Sequence, residues 1–286
     1  MLNLFSTEWI AARGAYIILA IISFVGSLSN FSLFFVTLRS NNIRSTCHLL
    51  IGLCALLDGF HQIGQFYQFP ILFSDGVIDS FLCTALQILP EIGVIGGCAS
   101  VLCIGIERLT AVLFINQYRK LSRRFLTLHI LLISALSLYI VFLMTAYYEP
   151  TRQICAIPAP FHGKAHDLWA KALGSLNLAT IVVYSIVAVV ISKNAKVSEA
   201  TRKSFRSIFF VMTSDVSGWA IRISMLHVIT IIDITDELRF SMCYVCGLFV
   251  NSGIGAKPMI YCSISSEYRQ AFRNVFARFS GLKSEI

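Results

Sequence analysis

The sequence predicts an all-α membrane protein, a bundle of seven transmembrane helices followed by a short amphipathic C-terminal helix. Three observations carry that prediction. Of the 286 residues, 56% are hydrophobic and only 13% charged, with a mean hydropathy of +0.74; a soluble domain needs more charge than this to cover its core with polar surface. Seven windows are long and apolar enough to cross a bilayer. The basic residues gather in short runs between alternate windows, so the net charge of +8 points to inward-facing loops and not to a nucleic-acid partner.

The windows are Ala15 to Leu38, Cys47 to Gln68, Thr84 to Phe114, Phe125 to Ala146, Leu168 to Val190, Phe205 to Ile229 and Phe240 to Tyr261. The first follows directly on thirteen mixed residues with no basic region, short apolar core or small-residue cleavage site, as in an uncleaved signal anchor. The third organises the chain. Cys83 and Arg108 lie 25 positions apart on it, roughly 38 Å as a continuous helix at about 1.5 Å per residue, which places a thiol beyond one membrane face and a charged pair at the other. The sixth is interrupted by Asp215 and Arg222. A charge within a span is costly unless it faces the bundle interior, so this window is either a functional helix or a miscount.

Loops 39–44, 115–124 and 191–206 together with the tail 262–286 hold 15 of the 23 lysines and arginines, whereas the opposite stretches hold 4. With seven spans this puts the N-terminus outside and the C-terminus in the cytoplasm; six or eight would break the alternation. The loops leave no room for a catalytic domain, and without an internal repeat an inverted-repeat transporter is disfavoured. Past the last span, residues 265–279 alternate Tyr268, Phe272, Val275, Phe276 and Phe279 with Arg269, Arg273 and Arg278. That spacing predicts an amphipathic helix on the inner leaflet, its apolar face in the lipid and its arginines among anionic headgroups, against the plainer alternative of a frayed basic tail.

Of nine cysteines, Cys83 and Cys155 alone fall at outer positions, in an oxidising compartment. A bridge would tie the third helix to the long outer loop; the alternative is two free thiols. The remaining cysteines, including the CxxC at Cys243 and Cys246, are too buried or too isolated to predict a metal site, and no cofactor is expected. The histidines are dispersed, and no nucleophile, base and orienting group can be assembled, so an enzyme is not expected. Glu107 and Arg108 at the inner end of the third helix can form a lock in which the carboxylate restrains the arginine, or simply anchor the helix at the interface.

The chain resembles the rhodopsin-like seven-transmembrane G-protein-coupled receptors and, in detail, the nematode serpentine chemoreceptors of the Srsx type. The resemblance runs through Gly26-Ser27-Leu28-Ser29-Asn30, Leu49 through Leu56-Leu57-Asp58, Cys83, Gly105-Ile106-Glu107-Arg108-Leu109, Lys257-Pro258-Met259-Ile260-Tyr261 and Ser266-Glu267-Tyr268-Arg269-Gln270-Ala271-Phe272. It implies that Asn30 and Asp58 belong to a polar core, that Glu107 and Arg108 are an activation switch, and that Pro258 with Tyr261 is a second one. Leu109 stands where the first switch usually has tyrosine and Lys257 where the second has asparagine. The usual tryptophan of the fourth helix and the usual prolines of the fifth and sixth are missing. Lys257 is expected either to replace a core sodium by pairing with Asp58 or to snorkel to the inner headgroups.

Candidate ligand-contacting residues are Glu91, Lys171 and Arg222, since ionisable groups at such depth are functional candidates by default, together with Trp219, which the resemblance sets at the toggle aromatic of the sixth helix. The plain alternative for Glu91 and Arg222 is that they pair with each other. Pro90 occupies the position where amine receptors resemble one another in carrying an aspartate, which disfavours a monoamine. The resemblance implies a plasma-membrane chemosensory receptor, at home in a sensory cilium, that binds a small molecule and partners a heterotrimeric G protein. A neuropeptide receptor of the same fold is the alternative, and a transporter or channel the remote one.

Overall fold

The computed structural model describes residues 7–72, 77–193, 199–232 and 234–279. Eight α-helices follow in order: α1 Thr7–Arg39, α2 Thr46–Ile63, α3 Ser80–Leu113, α4 Ile115–Ala146, α5 Lys164–Lys193, α6 Glu199–Ile231, α7 Asp236–Ile264 and α8 Ser266–Phe279. Three of them start on side-chain caps at oxygen-bearing residues: Ser45 accepts from the His48 amide, Asp79 from that of Phe81 and Thr235 from that of Leu238. Each cap satisfies a backbone N–H that the first helical turn leaves without a partner.

α1 and α6 begin earlier than their windows, at Thr7 and Glu199, and two further boundaries differ in kind from the sequence reading. The second window, Cys47 to Gln68, is α-helical only to Ile63 and continues as a 3₁₀ segment, Gly64–Leu72, which contains Pro70. The predicted inner loop 115–124 is helical, because α4 begins at Ile115 immediately after Phe114. Lysine and arginine are good helix formers, so a basic run extends a helix beyond the lipid as readily as it forms a loop. Part of the third inner loop, 194–198, lies outside the described residues. The outer segments also hold an antiparallel pair that sequence patterning did not reveal, β1 Val77–Asp79 against β2 Arg152–Ile154, with Val77 opposite Ile154 and Asp79 opposite Arg152.

The bundle is wound around α3, whose residues from Gly93 to Gly105 are buried without a break. α2, α4 and α5 pack on α3, α1 fits between α2 and α7, and α6 packs chiefly on α7. Gly93 is where α2 comes closest to α3: a Cβ there would stand 2.4 Å from the Leu57 carbonyl oxygen and 2.5 Å from the His61 amide nitrogen. Gly253 does the same for α7 against α6, 2.9 Å from the Ser214 carbonyl. Any side chain at either place would push two helices apart.

Among the described residues five helices, α1 to α5, are long and apolar enough to cross a membrane. Outward-facing Ile18, Ile21, Leu131, Leu138, Leu178 and Val182 are all more than two-fifths exposed and suit contact with lipid. This is a multi-pass membrane protein. On α8, Tyr268, Ala271 and Val275 are buried against the bundle core, and of its described apolar side chains Phe276 is the exposed one, at 49%, with Phe272 stacked on it at 5.9 Å. The apolar face of the tail helix is therefore divided between protein and lipid instead of lying wholly in the lipid. The side chains of Arg278 and Phe279 lie outside the described residues.

Candidate functional site

The N-terminal end of α3 is pinned by the Cys83–Cys155 disulfide, with 5.4 Å between Cα atoms, and by the β1–β2 pair beside it. β2 and the residues after Cys155 are thereby laid across the mouth of the bundle. Beneath them is a cavity of about 310 Å³ whose wall includes Gln65, Gln68, His166, Trp169, Arg222 and Tyr244. Most of the rest of the wall is apolar, from Leu19, Ile154, Ile157 and Pro158. Small-molecule sites have this character, an apolar enclosure with a few convergent polar groups.

Of the four ligand candidates, Arg222 alone lines the cavity. Glu91 lies behind Trp169, whose indole N–H donates to its Oε2 at 2.9 Å, and its Oε1 is buried with no hydrogen-bond partner. Glu91 and Arg222 form no ion pair among the described residues. Lys171 is exposed. The buried face of α5 runs through Ala165, Trp169, Leu173, Thr180 and Tyr184, and a residue two positions from both Trp169 and Leu173 points away from it. Trp219 is buried beneath the cavity, its ring 6.0 Å from that of His61, and is absent from the cavity wall.

Below this layer the structure adds Asp215 to the Asp58–Lys257 pair that the sequence reading weighed. Lys257 Nζ stands 2.8 Å from Asp58 Oδ2 and 3.1 Å from Asp215 Oδ1, and all three side chains are about 3% exposed. The Cys54 thiol donates to Asp58 at 3.5 Å. Snorkelling to the headgroups is thus excluded for Lys257. Asp215, taken from the sequence as an interruption of the sixth window, is its second partner. Asp215, Trp219 and Arg222 follow one another at steps of four and three residues, one face of one helix, so α6 carries a column from the cavity to the ion cluster. That spacing was the signal in the sequence.

One turn further out on α2, Gln62 starts a separate network. Its amide donates to the Asn251 carbonyl at 3.1 Å and accepts from Asn30 at 3.2 Å. Asn30 also donates to the Ile254 carbonyl at 3.3 Å. In an unbroken helix that carbonyl would bond the amide of residue 258, but Pro258 has none. Asn30 therefore supplies the hydrogen bond that the proline removes. Asn30 and Asp58 belong to adjacent but distinct clusters.

At the C-terminal end of α3, Arg108 Nε donates to Glu107 Oε2 at 2.5 Å and Nη2 to Oε1 at 2.7 Å, a two-pronged pair in which Glu107 is fully buried. The Tyr118 hydroxyl, from the first turn of α4, donates to the same carboxylate. Tyr118 escaped sequence reading because residue 118 was assigned to a loop. Tyr261 packs on Tyr268 of α8 at 5.3 Å, and His48 at the start of α2 meets both Tyr268 and the Glu267 carboxylate, the latter at 3.2 Å. Burial lifts the Tyr268 phenol well above its ordinary range, so it stays neutral there.

The helical bundle thus carries a disulfide-capped cavity at one end, a restrained arginine at the other, and a buried ion cluster between them. The family model of the serpentine type 7TM GPCR chemoreceptor Srsx matches residues 23–276, and the chain belongs to that family. A comparison with curated proteins finds no match.

Proposed function

We propose that this chain is a chemosensory G-protein-coupled receptor of the plasma membrane, and not an enzyme, that binds a small molecule in the outer cavity and signals to a heterotrimeric G protein at its inner face. In this reading α6 and α7 cross the membrane with the other five helices, the N-terminus lies outside, and the protein serves in a sensory cilium. The supporting observation is the column on α6. Arg222 reaches the cavity, Trp219 fills the layer below it, and Asp215 holds Lys257.

A ligand that shifts α6 by a fraction of a turn moves Asp215 away from Lys257, while Asp58 keeps the lysine. Lys257 would then exchange two partners for one, a discrete change of pairing of the kind a switch requires. At the inner face, release of Arg108 from Glu107 frees a long cationic donor for a partner. Asp58, Lys257, Pro258, Tyr261, Glu107 and Arg108 act as one relay, with Asn30 holding α1 to α7.

The test is a small-molecule screen of the expressed receptor with G-protein activation as the readout. A ligand that activates wild type and still binds an Arg108→Ala variant without activating it is the expected outcome. Ligands that bind without activating any heterotrimeric G protein would remove the signalling role.

A further inference from the structure

The geometry points to a carboxylate as the group the cavity recognises, so that the ligand is a small, largely apolar carboxylic acid held by Arg222. This rests on the receptor reading for its location and adds the chemical class.

Arg222 is half-buried in the cavity wall, its guanidinium reaching toward Gly247 on α7. No carboxylate of the described residues stands within ion-pair distance of it. Glu91 is screened from the cavity by Trp169, to which one of its oxygens is already committed. Among the described residues lining the cavity there is no aspartate or glutamate, whereas a second nitrogen base, His166, lies in the same wall. The Tyr244 hydroxyl there has no hydrogen-bond partner and is free to donate to an incoming oxygen.

A cation partly withdrawn from water with no counter-charge is unfavourable, and an anion entering the cavity relieves that cost. Arginine's planar fork matches the two oxygens of a carboxylate, which an amide or ester cannot reproduce. The apolar remainder of the wall takes a hydrocarbon or aromatic body. A volume of about 310 Å³ is at the low end of the range for small-molecule sites, roughly 300 to 1,000 Å³, which keeps that body small. Gln68 Oε1, another buried atom without a partner, leaves an acceptor for a hydroxyl on the same molecule.

The experiment uses the purified full-length receptor in lipid nanodiscs and two matched pairs, octanoate with octanamide and phenylacetate with phenylacetamide. Affinity is read from the concentration dependence of thermal unfolding, with no G protein present. At least one acid should bind wild type roughly ten- to a hundredfold more tightly than its amide. Arg222→Gln should abolish that preference and Arg222→Lys, which keeps the charge, should restore part of it. Amides binding as well as acids, unchanged acid binding in Arg222→Gln, or no binding of either acid at millimolar concentration would each overturn the assignment. Neutral ligands that bind and activate a G protein would sink the carboxylate and leave the receptor standing. Acids that bind by Arg222 without activating one would do the reverse.

Discussion

Lys257 shows how one substitution reorganises a buried site. A lysine between two aspartates leaves the cluster one negative charge in excess, so its members are unequal. Removing Lys257 strands two facing carboxylates, and Lys257→Ala should destabilise the protein by about 3 to 5 kcal/mol. Asp215→Asn takes away the surplus charge and leaves the 2.8 Å Asp58–Lys257 pair intact, so it should cost much less. A thermal-unfolding cycle in which Asp58→Asn and Lys257→Asn together lose less than the sum of the single changes is the expected result, with sodium stabilising wild type no more than potassium does. Additive losses would mean that the pair is not coupled. The Asp58–Lys257 pairing was legible because the motif around Pro258 fixes the level of Lys257 on its helix. The spacing of Asp215 from Trp219 and Arg222 put it on their face, but its partner was not legible, since a charge in a span can be given one only when the rotation of its helix is known. At the inner end Tyr118→Phe removes the phenol that helps position Glu107, and it should raise basal G-protein activation severalfold in a nucleotide-exchange assay. A basal rate equal to wild type would make Tyr118 a bystander to the Glu107–Arg108 pair.

Elements were legible where periodicity spoke, and were misplaced where a polar run could be either loop or helix. The basic start of α4 and the 3₁₀ continuation of α2 are both of that kind, and three-residue strands are too short to leave an alternating pattern. The cavity depends on those short elements, which is why its wall could not be read from the sequence while its floor partly could. The Cys83–Cys155 bridge joins segments 72 residues apart and restricts the unfolded chain. Either cysteine changed to alanine should cost on the order of 4 kcal/mol in the chain-entropy account, and changing both should cost no more than one. The β1–β2 pair survives in these variants, so the outer segment should loosen without leaving the cavity mouth. A comparison of the three variants by thermal unfolding and surface expression decides it. A double mutant clearly worse than either single one would show that the thiols stabilise separately.

For the whole molecule the open quantity is the number of crossings, and the physics of α6 and α7 bears on it directly. They fall short of the apolarity of α1 to α5 because their charges are used inside: Asp215 and Lys257 in the ion cluster, Arg222 in the cavity wall. A charge satisfied within the bundle does not meet lipid, so mean hydropathy understates the fitness of such a helix to span. Tags at the two termini cannot separate five crossings from seven, since both counts are odd and leave the ends on opposite sides. The short link between α6 and α7 can. Seven crossings put an epitope inserted after Ile234 on the same side as one placed after Met1, both labelled on intact cells, whereas an epitope after Ile286 needs permeabilisation. That orientation keeps 15 of the 23 basic residues on the cytoplasmic side. With five crossings the Ile234 epitope would be labelled only together with the C-terminal one, and Arg222 would then lie on the wrong side of the bilayer to meet a ligand arriving from outside.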